Sequence, residues 1–208
     1  VKEGWPIAPP ILEEQYNMKD ALAFGGLCIS LLNHADRVRV ACLAQLVNAI
    51  APIMTVTGGP AWRQTTFYPF AQFSRYGRGK VLRVQVESDL YSANYYDPRG
   101  ELDLFFPIAH VPYLKGAAVI DDHGGLSLFL LNRHLKDTMT VDIEARSFGE
   151  LSVTEAVQLA DSDLSASNTK DDPDRISPTM LDEVWVEGGK IHAVLQPASW
   201  NLIRLKTN

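Results

Sequence analysis

The sequence predicts two regions of different class: an α/β segment over residues 1–78 and an antiparallel, all-β segment over 79–208. Three observations carry this. Residues 39–46 form a short apolar run that ends on the polar residues Gln45 and Asn48, followed by a loop with Gly58, Gly59 and Pro60. A strand apolar on both faces belongs in a parallel sheet covered by helices. Phe24, Leu27, Cys28, Leu31 and Ala35 recur at helical spacing just before it. After Gly77 and Gly79 the period changes to two: Leu82, Val84 and Val86 alternate with Arg83, Gln85 and Glu87.

In chain order, residues 1–16 are irregular, with Pro6, Pro9 and Pro10. Asn17 reads as a helix N-cap, and Asp20 three residues later completes a capping box. The helix runs from about Met18 to His34, with Phe24, Leu27, Cys28 and Leu31 on its apolar face. Gly25 and Gly26 each weaken it by about 1 kcal/mol relative to Ala, which is tolerable where a helix packs close against a sheet. The strand at 39–46, a long loop and a helix over 64–76 complete an α–β–α fragment. Three elements cannot close a parallel domain alone.

The second region reads as a β-sandwich of short strands at near-regular spacing. These are 81–88, 113–120, 126–132, 139–145, 151–159, 182–187, 190–195 and 200–205. Asp121-Asp122-His123-Gly124-Gly125 and Glu187-Gly188-Gly189-Lys190 have hairpin-turn composition. Trp185 and Trp200 are expected in the sandwich core. Residues 161–181 are a polar loop. The change of period places a boundary at 78–79, although a sandwich can recruit a strand from earlier in the chain, so the boundary in sequence need not be one in space.

The chain has 208 residues, 46% hydrophobic and 21% charged, an ordinary globular composition. A net charge of -6 gives no basic footprint for nucleic acid. The acidic excess is local: residues 150–183 carry nine Asp or Glu against Lys170 and Arg175. No apolar run reaches membrane-spanning length. Cys28 and Cys42, both expected to be buried, suggest a reducing compartment and hence the cytoplasm.

Few residues have the pattern of a chemical site. Glu13 and Glu14 are adjacent carboxylates, but consecutive side chains diverge, and a solvated approach to the helix explains them. Asp121, Asp122 and His123 sit at a hairpin tip with no second ligand cluster, so they read as a turn and not a metal site. No serine has a G-x-S-x-G context, and Gly58-Gly59-Pro60 lacks the ending of a phosphate loop. No metal or cofactor is called for. Gln45 stands apart, because a polar amide ends a strand that should stay apolar, where α/β barrels present ligand sites. It can donate to and accept from sugar hydroxyls, or cap a barrel rim. Asn48 shares the position. Trp5 and Trp62 lie in loops that could flank the same rim, as sugar platforms or as loop anchors.

The motifs resemble glycoside hydrolase family 51, the α-L-arabinofuranosidases. Trp5-Pro6-Ile7-Ala8-Pro9-Pro10 and Leu12-Glu13-Glu14 are similar to the family's segment after barrel strand seven. Tyr16-Asn17 and Asp20-Ala21 open its next helix. His34-Ala35-Asp36-Arg37-Val38 leads into a stretch similar to barrel strand eight, Ala41-Cys42-Leu43-Ala44-Gln45-Leu46-Val47-Asn48. Ile50-Ala51-Pro52-Ile53 and Gly59-Pro60-Ala61-Trp62-Arg63-Gln64-Thr65 continue the match, and Ser199-Trp200-Asn201 with Ile203-Arg204-Leu205 looks like the final sandwich strand.

The resemblance implies that 1–78 is the end of a (β/α)₈ TIM barrel (helix 7, strand 8, helix 8) and 79–208 its C-terminal β-sandwich. It implies a retaining, exo-acting hydrolase that removes terminal non-reducing α-L-arabinofuranosyl groups from arabinan, arabinoxylan or their oligosaccharides. The family's two catalytic glutamates would lie upstream of Val1, in a preceding segment or a partner chain that supplies the rest of the barrel, and no residue here would be catalytic. Gln45 matches the strand-eight glutamine that contacts the arabinose. A homo-oligomer is expected by resemblance alone. The alternative is a non-catalytic carbohydrate-binding or interaction module built on the sandwich.

Overall fold

The computed structural model describes residues 13–94 and 107–207. The chain opens with helix α1 (Met18–Asn33) and continues through a hairpin of β1 (Ile53–Thr55) and β2 (Ala61–Arg63) to helix α2 (Phe67–Tyr76). The remaining strands are β3 (Lys80–Leu82), β4 (Leu90–Asn94), β5 (Pro107–Pro112), β6 (Leu114–Ile120), β7 (Leu126–Asn132), β8 (Met139–Glu144), β9 (Leu151–Leu159), β10 (Thr179–Met180), β11 (Val184–Glu187), β12 (Lys190–Leu195) and β13 (Ser199–Thr207).

Two antiparallel sheets form the sandwich. The larger has the order β10-β9-β13-β7-β6-β3, the smaller β11-β12-β8. Strand β13 crosses the centre of the larger sheet, between β7 (Trp200 opposite Leu131) and β9 (Trp200 opposite Leu159). Strand β7 is buried along its whole length, because both of its faces are covered. Its Leu126, Leu128 and Leu130 pack with Val141, Ile191, Ala193 and Leu195 of the smaller sheet and with Ile203 and Leu205 of β13. Phe129 and Leu131 point the other way and share a core with Met18, Ala21, Ile29 and Leu32 of α1, Tyr68 of α2, and Trp200. The layers therefore run helices, large sheet, small sheet.

The capping box of α1 is formed as expected: Asp20 N donates to Asn17 Oδ1 (3.1 Å) and Asn17 N to Asp20 Oδ2 (2.9 Å). The buried face differs from the expected one. Ala21, Gly25, Gly26, Cys28, Ile29 and Leu32 are buried, while Leu27 is exposed and Phe24 and Leu31 are half-buried. The reason is distance of approach. A Cβ on Gly25 would lie 2.5 Å from Cε3 of Trp200, and one on Gly26 would lie 3.1 Å from Leu131 Cδ2. Small residues set the contact at Trp200 and Leu131, and Leu27 is turned away. Lys115 of β6 ties helix to sheet, its Nζ donating to Gly26 O (2.7 Å) and to Ser30 Oγ. Burial holds its ammonium pKa below the usual lysine value.

Other expectations are corrected. Residues 39–46 form no strand, and Val40 and Leu46 are 80% and 72% exposed. A parallel strand needs hydrogen-bonded neighbours, and among the described residues none pairs along this stretch. Cys42 is accordingly exposed, not buried. Strand β3 stops at Leu82, so the alternation to Ser88 is realised only at its start. Trp185 lies on the outer side of the small sheet, 44% exposed and stacked on His192. Trp200 is buried, but in the core between the large sheet and the helices and not in the expected core between the two sheets.

The hairpin readings hold. In the 121–125 turn, Asp121 Oδ1 accepts from His123 N and Gly125 N, each at 2.8 Å, which holds its carboxyl below the usual carboxylate range.

Candidate functional site

The stretch 39–48, whose polar end at Gln45 and Asn48 is the expected site, runs over the surface between α1 and β1. Its path is fixed at the far end. Asn48 takes a left-handed conformation (φ 61°), a region in which asparagine is among the tolerated residues. Its N–H donates to Ile53 O (2.8 Å), its Oδ1 accepts from Thr55 N (2.7 Å), and its Nδ2 donates to Thr55 Oγ1 (2.9 Å). Asn48 thus closes the turn onto β1 with both ends of its amide.

Gln45 is exposed and borders a cleft of about 540 Å³. The cleft's other walls include Leu43, Leu46 and Ile53, and Phe67, Phe70 and Arg75 of α2. Neither Asn48 nor Trp62 lines it. Trp62 is half-buried on β2, opposite Met54 of β1. Trp5 lies outside the described residues. The structure thus places Gln45 at a cleft, Trp62 in the β1–β2 hairpin beside it, and Asn48 in the turn that leads into β1. Glu13 and Glu14 are exposed, as a solvated approach requires. Among the described residues, no group of His, Cys, Asp or Glu could hold a metal ion.

The most constrained polar group is one that the sequence did not single out. Gln64, between β2 and α2, is 1% exposed. Its Oε1 accepts from Tyr16 N (2.8 Å), and its Nε2 donates to Glu14 O (3.0 Å) and Ala51 O (2.8 Å). One amide thereby satisfies three backbone groups from two segments, as burial of such groups demands. Around it, Glu14 N donates to Ala49 O (3.2 Å), the Tyr16 hydroxyl to Ile50 O (2.9 Å), and Thr65 Oγ1 to Asn17 O (2.6 Å).

The loop after β9 completes this knot. Asn168 Nδ2 donates to Arg63 O (3.0 Å), while Met18 N and Lys19 N donate to Ala166 O (2.8 Å) and Leu164 O (3.0 Å), satisfying open N–H groups of the first turn of α1. Arg175 holds that loop through Asp161, whose carboxyl is kept below the usual carboxylate range by the guanidinium. The signal available in sequence was the polar run Arg63-Gln64-Thr65-Thr66 between aromatic neighbours. It resembles any exposed helix start.

Comparison with known proteins places the chain. A family model described as Alpha-L-arabinofuranosidase C-terminal domain matches residues 2–199. The intracellular exo-alpha-(1->5)-L-arabinofuranosidase of Streptomyces lividans is 46% identical over 200 residues, covering 96% of this chain but 28% of that enzyme. The exo-alpha-(1->6)-L-arabinofuranosidase of Bifidobacterium longum is 40% identical over 206 residues, covering 98% of this chain and 37% of the enzyme.

Among solved structures, a family 51 alpha-L-arabinofuranosidase from Bifidobacterium longum superposes with a TM-score of 0.80 at 34% identity, over 98% of this chain and 38% of that one. The Thermotoga maritima alpha-L-arabinofuranosidase in its arabinose complex superposes with a TM-score of 0.81 at 25% identity, over 96% of this chain and 40% of that one. The chain thus spans about a third of the length of the relatives it matches, which speaks against a free-standing sugar-binding module. The β-sandwich is present as expected, whereas the expected last α/β units of a TIM barrel form no parallel sheet among the described residues. The chain belongs to the alpha-L-arabinofuranosidase C-terminal domain family, within glycoside hydrolase family 51.

Proposed function

We propose that this chain is the C-terminal third of a retaining, exo-acting α-L-arabinofuranosidase that releases terminal non-reducing arabinofuranosyl groups from arabinan, arabinoxylan or their oligosaccharides. The observation that carries the reading is near-complete coverage of this chain against enzymes of which it makes up 28–38%. Retaining glycosidases use two carboxyl groups about 5 Å apart, one as nucleophile and one as acid/base. Those groups belong, in this reading, to the preceding part of the enzyme.

That part also has surfaces to complete. The apolar stretch 39–46 would become barrel strand eight once strands stand on either side of it, and 1–78 would be the end of the barrel. Among the described residues the small sheet ends at β8, beside an open cleft of about 1550 Å³ lined by Leu82, Val86, Leu128, Val141 and Phe148. A strand from the earlier part of the enzyme would pair there and close the sandwich of 79–208. Such edges with unpaired backbone groups are normally covered.

In the closed barrel Gln45 would stand at the C-terminal mouth, with Asn48, Trp62 and Trp5 on the rim. An amide does not titrate, so its part would be to orient a furanose hydroxyl and to strengthen that bond in the transition state. A homo-oligomer in the cytoplasm completes the reading. The Streptomyces lividans relative is named intracellular, and among the described residues no helix is long and apolar enough to cross a membrane.

The test is an assay of the chain alone and of the full-length protein on an aryl α-L-arabinofuranoside. Activity from the full-length protein only is expected. Robust activity from the chain alone would overturn the placement of both carboxylates.

A further inference from the structure

We infer that Gln64 is a positioning residue for the substrate-binding loop, acting through Ala49–Ala51 on Gln45. The inference rests on the function proposed above. The geometry that carries it is the double clamp. Gln64 fixes Tyr16 and Glu14 of the segment that precedes α1 with one bond each, and fixes Ala51 with a third. The same two segments are stitched again by Glu14 N to Ala49 O and by the Tyr16 hydroxyl to Ile50 O.

Gln45 lies four residues before Ala49, and the turn between them is locked by the bonds of Asn48 to Thr55. The stretch 47–51 is therefore held as a body, with Gln45 two residues before it, and Gln64 sets where that body sits against residues 14–16. A glutamine is required by the donor pattern. Only an uncharged amide of this length donates twice to backbone carbonyls while accepting from a backbone N–H.

The amide is buried and its partners are backbone atoms, so substrate does not touch it. Its effect on the reaction would be on the distance from Gln45 to the sugar, and a displacement of about 1 Å at a binding group is enough to reduce productive binding.

Gln64→Glu in the full-length enzyme separates positioning from mere stability. At about pH 8 the carboxylate has lost both donors and faces two carbonyl oxygens. At about pH 5 a carboxyl whose pKa is raised by burial is neutral, and it regains one donor while still accepting from Tyr16 N. Kinetics on an aryl α-L-arabinofuranoside, per folded molecule and relative to the native enzyme at each pH, should show KM raised about tenfold at pH 8 and recovering to within about threefold at pH 5. Amide exchange over residues 45–51, read in the same samples, should be faster than native at pH 8 and closer to native at pH 5. A KM ratio independent of pH, or native KM at both, would overturn the assignment. So would a variant that fails to fold at pH 5. If the native enzyme has no arabinofuranosidase activity, the proposed function falls, and the exchange of 45–51 still decides whether Gln64 positions the loop.

Discussion

Gly25 of α1 lies flat against the indole of Trp200: a Cβ there would stand 2.5 Å from Cε3. The indole cannot retreat, because Phe129 packs beside it with ring centroids 5.9 Å apart and its Nε1 donates to Gln72 Oε1 of α2 at 2.6 Å. One glycine therefore joins both helices to the central strand of the large sheet. Alanine would gain about 1 kcal/mol of helix propensity, against roughly 1–3 kcal/mol for overpacking a rigid contact. Gly25→Ala is expected to lose about 1 kcal/mol net, read as an earlier denaturant midpoint. A midpoint equal to or above the native value would show that the contact yields.

The Asp161–Arg175 pair predicts an acid-sensitive loop. The guanidinium lowers the folded-state pKa of Asp161, so the pair's contribution is present above the unfolded carboxylate pKa, about 3.9. It is lost as pH falls through the lower folded value. Protection of the Met18 and Lys19 amides, which donate into this loop, should fall between about pH 5 and pH 2, beyond the trend of other α1 amides. Asp161→Asn should remove that step. The same step in the variant would assign it to another group.

Much of the sandwich was legible because its strands carry their own signals. Leu151–Leu159 and Lys190–Leu195 match expectation at both ends, since alternation and Gly turns are local. The capping box was legible for the same reason. The face of α1 was not, because periodicity weights bulky residues such as Leu27, whereas a close contact with Trp200 selects small ones. Residues 39–46 carry the pattern of a doubly covered strand, but pairing is not a local property and its partners are not among the described residues. Trp185 was expected inside because tryptophan usually is. Its place on β11 puts it on the outer face. Gln64 escaped notice because a buried amide and a solvated one look alike until their partners are known.

Gln45→Ala in the full-length protein should lower kcat/KM by about tenfold, corresponding to about 1.4 kcal/mol, the upper range for a neutral hydrogen bond. The melting temperature should be unchanged, since the side chain is exposed at a cleft. Unchanged kcat/KM would remove Gln45 from the site. Loss of folding would make it a structural rim amide.

The two cysteines give the most direct test of whether residues 39–46 become a barrel strand. Cys28 is buried and its thiol is pushed up to about 12 by burial, so it should stay unmodified in any folded form. Cys42 is exposed in this chain. Flanking strands and helices in the full-length protein would cover it on either face. Alkylation of native full-length protein at about pH 8, read by mass spectrometry of the Cys42 peptide, should show strong protection that is lost on denaturation. Rapid modification of Cys42 in the native full-length protein would contradict the account.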